Sequence, residues 1–268
     1  MAQAIQWQFD GARERVTVRE WTSGAPSWIA VLVHGYAEHA ARYDAVADVL
    51  VRVGATVSAP DHIGHGRTGG TPGLVPDFQE VVRDVRVVCD RARAQHPGLP
   101  LVLVGHSMGG GIAARCAQEF GHELAALVLS GPVLSAWASP RALLAQDPIP
   151  ESPLDPTALS RDPEVGRVYA VDPLVYRGPF LREMLVAWQR LLDSLAAGRP
   201  LGALPALWLH GDDDPLVPLA DARTGIERLG LDAVQERIYP GARHEVFNET
   251  NRDEVLGDLV AFVRRTMR

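Results

Sequence analysis

Twenty residues near the middle of the chain restrict its fold more than any others: Leu101-Val-Leu-Val-Gly-His-Ser107-Met-Gly-Gly-Gly-Ile-Ala-Ala-Arg-Cys-Ala-Gln-Glu-Phe120. The stretch opens as a run of branched apolar residues, the composition of a strand buried on both faces. It passes through Gly105-His106-Ser107-Met108-Gly109 and continues from Ile112 to Phe120 as a helix pattern. A strand that turns into a helix through Gly-x-Ser-x-Gly holds the serine in a strained backbone conformation between small neighbours. The serine hydroxyl then stands above the carboxyl end of a sheet. The helix N-terminus points at it, and the free N–H groups there favour negative charge. Ser107 is therefore a candidate nucleophile.

The rest of the chain repeats the same alternation. Apolar strand patterns at 28–33, 55–59, 125–129, 205–210 and 234–239 alternate with helix patterns at 44–53, 77–95, 220–229 and 251–267. These predict an α/β fold, a mostly parallel sheet flanked by helices. Two alternating segments, Gln6–Phe9 and Val16–Trp21, flank Asp10-Gly11 and read as an antiparallel hairpin at one edge. With the elbow strand they make eight strands, and residues 23–26 read as a turn. The rhythm breaks at 133–204. Ten of the twenty prolines lie from Pro132 to Pro200, a density that excludes central strands and interrupts helices. A structureless loop of that length is rare in a compact domain. The expected organisation is a core of 1–132 and 205–268 with an inserted cap at 133–204. The clearest helix of the cap runs over 180–197.

Charge and cysteine usage narrow the function classes. The net charge of −7 comes with no basic stripe, which argues against nucleic acid. Cys89 and Cys116 both fall in helix patterns and read as buried thiols rather than a disulfide framework. The first ten residues lack the pattern of a signal peptide, and no apolar run reaches membrane-spanning length, so a cytoplasmic protein is expected. His62 and His65 lie in Asp61-His-Ile-Gly-His-Gly-Arg67 without a cysteine or carboxylate cluster. That segment reads as a glycine-structured loop, and neither a metal nor a cofactor is expected.

A serine hydroxyl is a weak nucleophile unless a base takes its proton during attack, and the base needs a carboxylate to fix its tautomer. His244 is the histidine that follows the last strand pattern. The acid must come from Asp212, Asp213 or Asp214 after the strand at 205–210, and position alone leaves the three equivalent. Three adjacent aspartates are too closely spaced for a calcium site. The order serine, acid, histidine is that of α/β-hydrolases. In such an arrangement the loop after the first parallel strand, His34-Gly35-Tyr36, supplies one oxyanion N–H and the residue after the nucleophile supplies the other. The donors would be the backbone amides of Tyr36 and Met108.

The chain resembles the monoacylglycerol lipase family, within the lysophospholipase and serine-aminopeptidase-like branch of α/β-hydrolases. The resemblance covers nearly its whole length. It is carried by His34-Gly-x-x-Glu38-His-x-x-Arg42-Tyr43, Asp61-His-x-Gly-His-Gly66, Gly105-His-Ser-Met-Gly-Gly110, Tyr169-x-x-Asp-Pro-Leu174, His210-Gly-x-x-Asp214-x-x-Val-Pro218 and Ala242-Arg-His244-Glu-Val-Phe-Asn-Glu249. It implies a serine ester hydrolase acting on monoacylglycerols or similar single-chain esters, with Asp214 as the acid. It also implies glycerol contacts at Glu38, Arg42 and Tyr169, although the residues fit equally a Glu38–Arg42 salt bridge that braces the loop. Tyr36 stands where the family often has a smaller residue. Its ring is placed to line or narrow the mouth of the site. The expected partner is a lipid ester. Leu143, Leu144, Ile149 and Leu154 in the cap either pack inside it or face lipid aggregates. Another acyl hydrolase, an acyltransferase or a non-catalytic receptor on the same fold remain as alternatives, and nothing in the sequence sets the oligomeric state.

Overall fold

The computed structural model describes residues 4–22, 24–135, 138–149 and 154–267. Ser23 of the expected turn and six positions of the 133–204 insertion lie outside them. Eight strands form one sheet: β1 (Ala4–Asp10), β2 (Arg15–Trp21), β3 (Trp28–Val33), β4 (Ala55–Pro60), β5 (Leu101–His106), β6 (Ala126–Ser130), β7 (Ala206–Gly211) and β8 (Val234–Tyr239), in the order β1-β2-β4-β3-β5-β6-β7-β8. The β1–β2 and β2–β4 pairs are antiparallel and the others parallel. Strands β3 to β7 are buried at every position. That is why they read as predominantly apolar runs, although β4 also buries Thr56 and Ser58.

Successive residues of a strand serve opposite faces, and β5 shows it. Leu101 and Leu103 join a core with α2 (Phe78–Gln95), α3 (Met108–Phe120), α6 (Arg182–Ala197) and α7 (Leu219–Arg228). Val102 and Val104 join the opposite core, under α1 (Asp44–Arg52) and α8 (Arg252–Thr266). The result is an α/β-hydrolase sandwich of helices, sheet and helices. No helix among the described residues is long and apolar enough to cross a membrane.

Three details depart from the local reading. The β1–β2 connection runs over 11–14 and is closed by Gly11 N–H donating to Glu14 O at 2.9 Å, so Asp10 ends the strand instead of opening a two-residue turn. Helix α3 begins at Met108, not at Ile112. Its three glycines are poor helix formers, but each is buried, and tertiary packing decides. The segment between β6 and β7 holds α4 (Ala138–Leu144) and α5 (Pro163–Val171) as well as α6. Helix α5 starts at an Asp162 cap followed by Pro163, with the Asp162 carboxylate accepting from Glu164 N–H. That is a legible start signal in a stretch otherwise obscured by proline. Helix α6 packs its Leu191, Leu192 and Leu195 into the same core as α3.

Candidate active site

The sheet order reverses at β3, whose neighbours are β4 on one side and β5 on the other. Ligands of open α/β sheets bind outside the carboxyl ends of the strands at such a switch point. The two strands there end in His34-Gly35-Tyr36 and in the Ser107 elbow. Ser107 has φ 55° and ψ −120°, a conformation that costs an L-residue energy. It is held by its N–H donating to Ser130 O at 2.9 Å and by its carbonyl accepting from Gly110 and Val133. Gly109 cannot carry a side chain, because a Cβ there would overlap the Val33 carbonyl. At Gly109 the elbow therefore meets the end of β3 through backbone.

Beyond β3 the chain makes a tight turn. Ala37 takes φ 67°, and Glu38 folds back to accept from Gly35 N–H at 2.7 Å. Among the described residues, neither the Tyr36 nor the Met108 amide has a hydrogen-bond partner within the protein. Tyr36 lines a cavity of about 610 Å³ whose wall also includes Ser107, Tyr169 and His244, and the buried Met108 follows Ser107 directly.

His244 follows β8 and lies in this wall, its ring 4.8 Å from that of His106. Its Nδ1 donates to Asp214 Oδ2 at 2.7 Å. The other Asp214 oxygen accepts from the N–H groups of Leu216 and Val217 at 2.9 Å each. This loop is fixed from below, because Trp208 Nε1–H donates to His210 Nδ1 and His210 Nε2–H donates to Val217 O. Asp212 and Asp213 are exposed, and Asp212 ties the end of β7 to the loop after β8 by accepting from Gly241 N–H. Of the three aspartates, geometry brings Asp214 to the imidazole. The Ser107 hydroxyl is not hydrogen-bonded to His244 in this arrangement, and such bonds commonly tighten only with substrate in place.

Burial works against charge on both partners, and their pairing overcomes it. Asp214 is held below the usual carboxylate range by His244 and His210. His244 titrates above an ordinary imidazole, because Asp214, with Glu245 and Glu38 behind it, outweighs desolvation. The adjacent His106 behaves oppositely. Burial and the nearby His244 hold it down to about 4, so it stays neutral beside the base.

Glu38, Arg42 and Tyr169 also meet, through a partner that local sequence does not reveal. Arg42 donates to Glu38 at 2.8 Å and grips Glu245 with two bonds of 2.6 and 2.8 Å. Tyr43 O–H donates to the other Glu38 oxygen at 2.7 Å, and the Arg42 guanidinium lies 4.9 Å from the Tyr169 ring centroid. Glu38, Glu245 and Tyr169 reach the cavity, whereas Arg42 sits behind them. Arg42 thus ties the loop after β3 to the His244 loop. Glu245 is 203 residues away from it, and no spacing rule links them. Burial alone would raise the Glu245 carboxyl, but Arg42 outweighs it and holds the group at about 2.

An Arg42→Met variant is expected to lose about 3–5 kcal/mol of stability in urea unfolding, because two buried carboxylates lose their cation. A loss below about 1 kcal/mol would show that the cluster does not brace the site. In the wild-type protein the Glu245 contribution is present above the unfolded value of about 4.3 and is lost as pH falls towards the folded value.

Comparison with known proteins agrees with this architecture. Residues 24–251 match the family described as serine aminopeptidase, S33. The chain is 39% identical over 260 residues to a monoacylglycerol lipase of Mycolicibacterium smegmatis, covering 93% of this chain and 92% of that one. It is 32% identical over 246 residues to human monoglyceride lipase, covering 86% and 80%. Among solved structures, a carboxyl esterase of Bacillus coagulans in complex with glycerol superposes with TM-score 0.84 at 23% identity over the whole of both chains. A soluble variant of monoglyceride lipase from Saccharomyces cerevisiae, in complex with a substrate analogue, superposes with TM-score 0.83 at 22% identity, covering 99% and 96%. These two share the fold. Aligned over nearly its full length with one monoacylglycerol lipase and over most of it with another, the chain belongs to the monoacylglycerol lipase family of α/β-hydrolases.

Proposed function

We propose that this protein hydrolyses monoacylglycerols or similar single-chain esters through an acyl-enzyme, with Ser107, His244 and Asp214 as its triad. The observation that carries this reading is the convergence on one cavity of a strained Ser107, a His244–Asp214 pair and the unpartnered amide of Tyr36, with that of Met108 next to Ser107 in the chain. In the first step Ser107 Oγ attacks the ester carbonyl while His244 Nε2 takes its proton. Asp214 keeps the Nδ1–H tautomer and stabilises the imidazolium. The carbonyl oxygen gains charge and is received by the amides of Tyr36 and Met108, aided by the N-terminus of α3. His244 then protonates the departing alcohol. Water, activated by the same imidazole, releases the fatty acid.

The alcohol end of the site is assigned to Glu38 and Tyr169. Tyr169 belongs to the cavity wall, and its hydroxyl has no hydrogen-bond partner among the described residues. Arg42 serves the same end indirectly, by fixing Glu38 and Glu245. Residues 133–204 act as the cap of the site. Leu143 and Leu154 belong to the cavity wall, which suits an acyl chain. On the outer face Val168 and Val171 are exposed, and they are the side chains proposed to touch lipid aggregates.

One substrate panel tests these points. Each neutral hydrogen bond is worth roughly 0.5–1.5 kcal/mol net. Two or three to glycerol would favour a monoacylglycerol over the methyl ester of the same acid by roughly ten- to a hundredfold in kcat/KM. Tyr169→Phe should shrink that ratio and spare methyl-ester hydrolysis. Rates should also rise above the micelle threshold of the substrate. Equal loss of both activities in the variant would remove Tyr169 from glycerol recognition. A rate that tracks only monomeric ester would remove the lipid contact.

A further inference from the structure

The proposed reaction uses Tyr36 through its backbone N–H, yet the residue carries a large ring into the site. That ring stacks on Phe180, with centroids 4.9 Å apart and planes 16° apart. It lies 5.7 Å from Trp188 and 5.5 Å from His65. Its hydroxyl is buried and has no hydrogen-bond partner among the described residues. The side chain is thus fixed by its faces and edges rather than by its polar end.

Behind the ring is a second cavity of about 170 Å³. Tyr36, Leu154, Tyr169 and Phe180 line both cavities; Tyr36, Leu154 and Phe180 make the apolar part of the partition, and Tyr169 is its polar edge at the alcohol end. The partition is held in place. Tyr176 N–H donates to Ala37 O at 2.8 Å, and His39 Nε2 meets the Asp172 carboxylate at 3.0 Å. These bonds tie the loop that carries Phe180 to the loop that carries Tyr36.

The direction of the substrate follows from the chemistry. A departing alcohol must face His244 to receive its proton, so the acyl chain leaves the carbonyl carbon on another side. The His244 ring packs against His106. Tyr36, Phe180 and Trp188 pack with one another instead, and they offer an apolar aromatic wall to a chain. We infer that the Tyr36 ring is a specificity-determining residue that ends the acyl channel and sets the size of acyl group the enzyme accepts. The inference rests on the proposed ester hydrolysis.

The test compares kcat/KM for short, long and branched acyl esters of one alcohol in the wild type, Tyr36→Ala and Tyr36→Phe. Opening the wall should raise the long-to-short ratio of Tyr36→Ala by roughly tenfold or more, the discrimination that a methylene or two provides in an apolar pocket. Tyr36→Phe keeps the wall. It should retain the wild-type ratio and unfold at or above the wild-type temperature, since it removes a buried hydroxyl without a partner. Should Tyr36→Ala not fold, Tyr36→Leu should shift the ratio in the same direction. An unchanged ratio in the folded, active Ala or Leu variant would overturn the inference, as would an equal shift in Tyr36→Phe. A wild-type protein inactive on every ester would instead remove the proposed function, and this inference with it.

Discussion

Replacing Ser107 by alanine is expected to lower ester turnover by roughly 10⁴-fold or more, with His244→Ala close behind. Each removes a group without which the others act little, so the two losses should not add. The fold should survive both changes. Ser107 is held by backbone bonds, its N–H donating to Ser130 O and its carbonyl accepting from Gly110 and Val133, none of which needs the hydroxyl. Purified variants with wild-type circular dichroism, assayed on a chromogenic ester, decide the matter. More than about a hundredth of wild-type turnover in either variant would exclude the triad. A fluorophosphonate that labels the wild type and spares Ser107→Ala would place the nucleophile independently of substrate choice.

Asp214→Asn is expected to be nearly as damaging, by about 10⁴-fold, since an amide neither holds the right tautomer nor stabilises the imidazolium. Asn at 212 or 213 should be mild, because those side chains are exposed and do not touch His244. The pH profile adds a readout that unfolding cannot imitate. The base must be neutral to act. With Asp214 in place His244 titrates above the ordinary imidazole value, so kcat/KM should fall as pH drops through a midpoint above about 6.5. In Asp214→Asn the raising charge is gone while burial remains, so the residual activity should have its midpoint at lower pH. If Asp212→Asn proved the worst of the three, or if the midpoint stayed in place, the acid would be wrongly assigned.

The parts of the molecule legible in the sequence are those with a short-range cause. Strands buried on both faces are predominantly apolar, so β3 to β7 announce themselves. The elbow needs glycines on both sides of its serine, so Ser107 does too. Chain order then leads to His244 and to a trio of aspartates. Choosing Asp214 on geometry takes the turn that buries its carboxylate against Leu216 and Val217 N–H. Other features have no local signature. Arg42 and Glu245 find each other only through the fold. The ring of Tyr36 is legible as a bulky residue at a tight place, but not its stack on Phe180, which arrives from a proline-rich segment of weak periodicity. The glycines at the start of α3 mislead a propensity reading, because their use is close packing rather than helix stability.

That close packing has a consequence for how such an enzyme can vary. Gly109 lies against the Val33 and His34 carbonyls, and a Cβ at Gly105 would run into Gly109. At Gly109 no side chain intervenes between the elbow and the strand that leads to Tyr36. The separation of the two amides is therefore a dimension of the backbone, like the spacing of strands in the sheet. A lineage could rebuild the crossing between β6 and β7, or exchange Tyr36 for a smaller residue, and so change which esters fit. It would do so without resetting the gauge against which the carbonyl oxygen is measured.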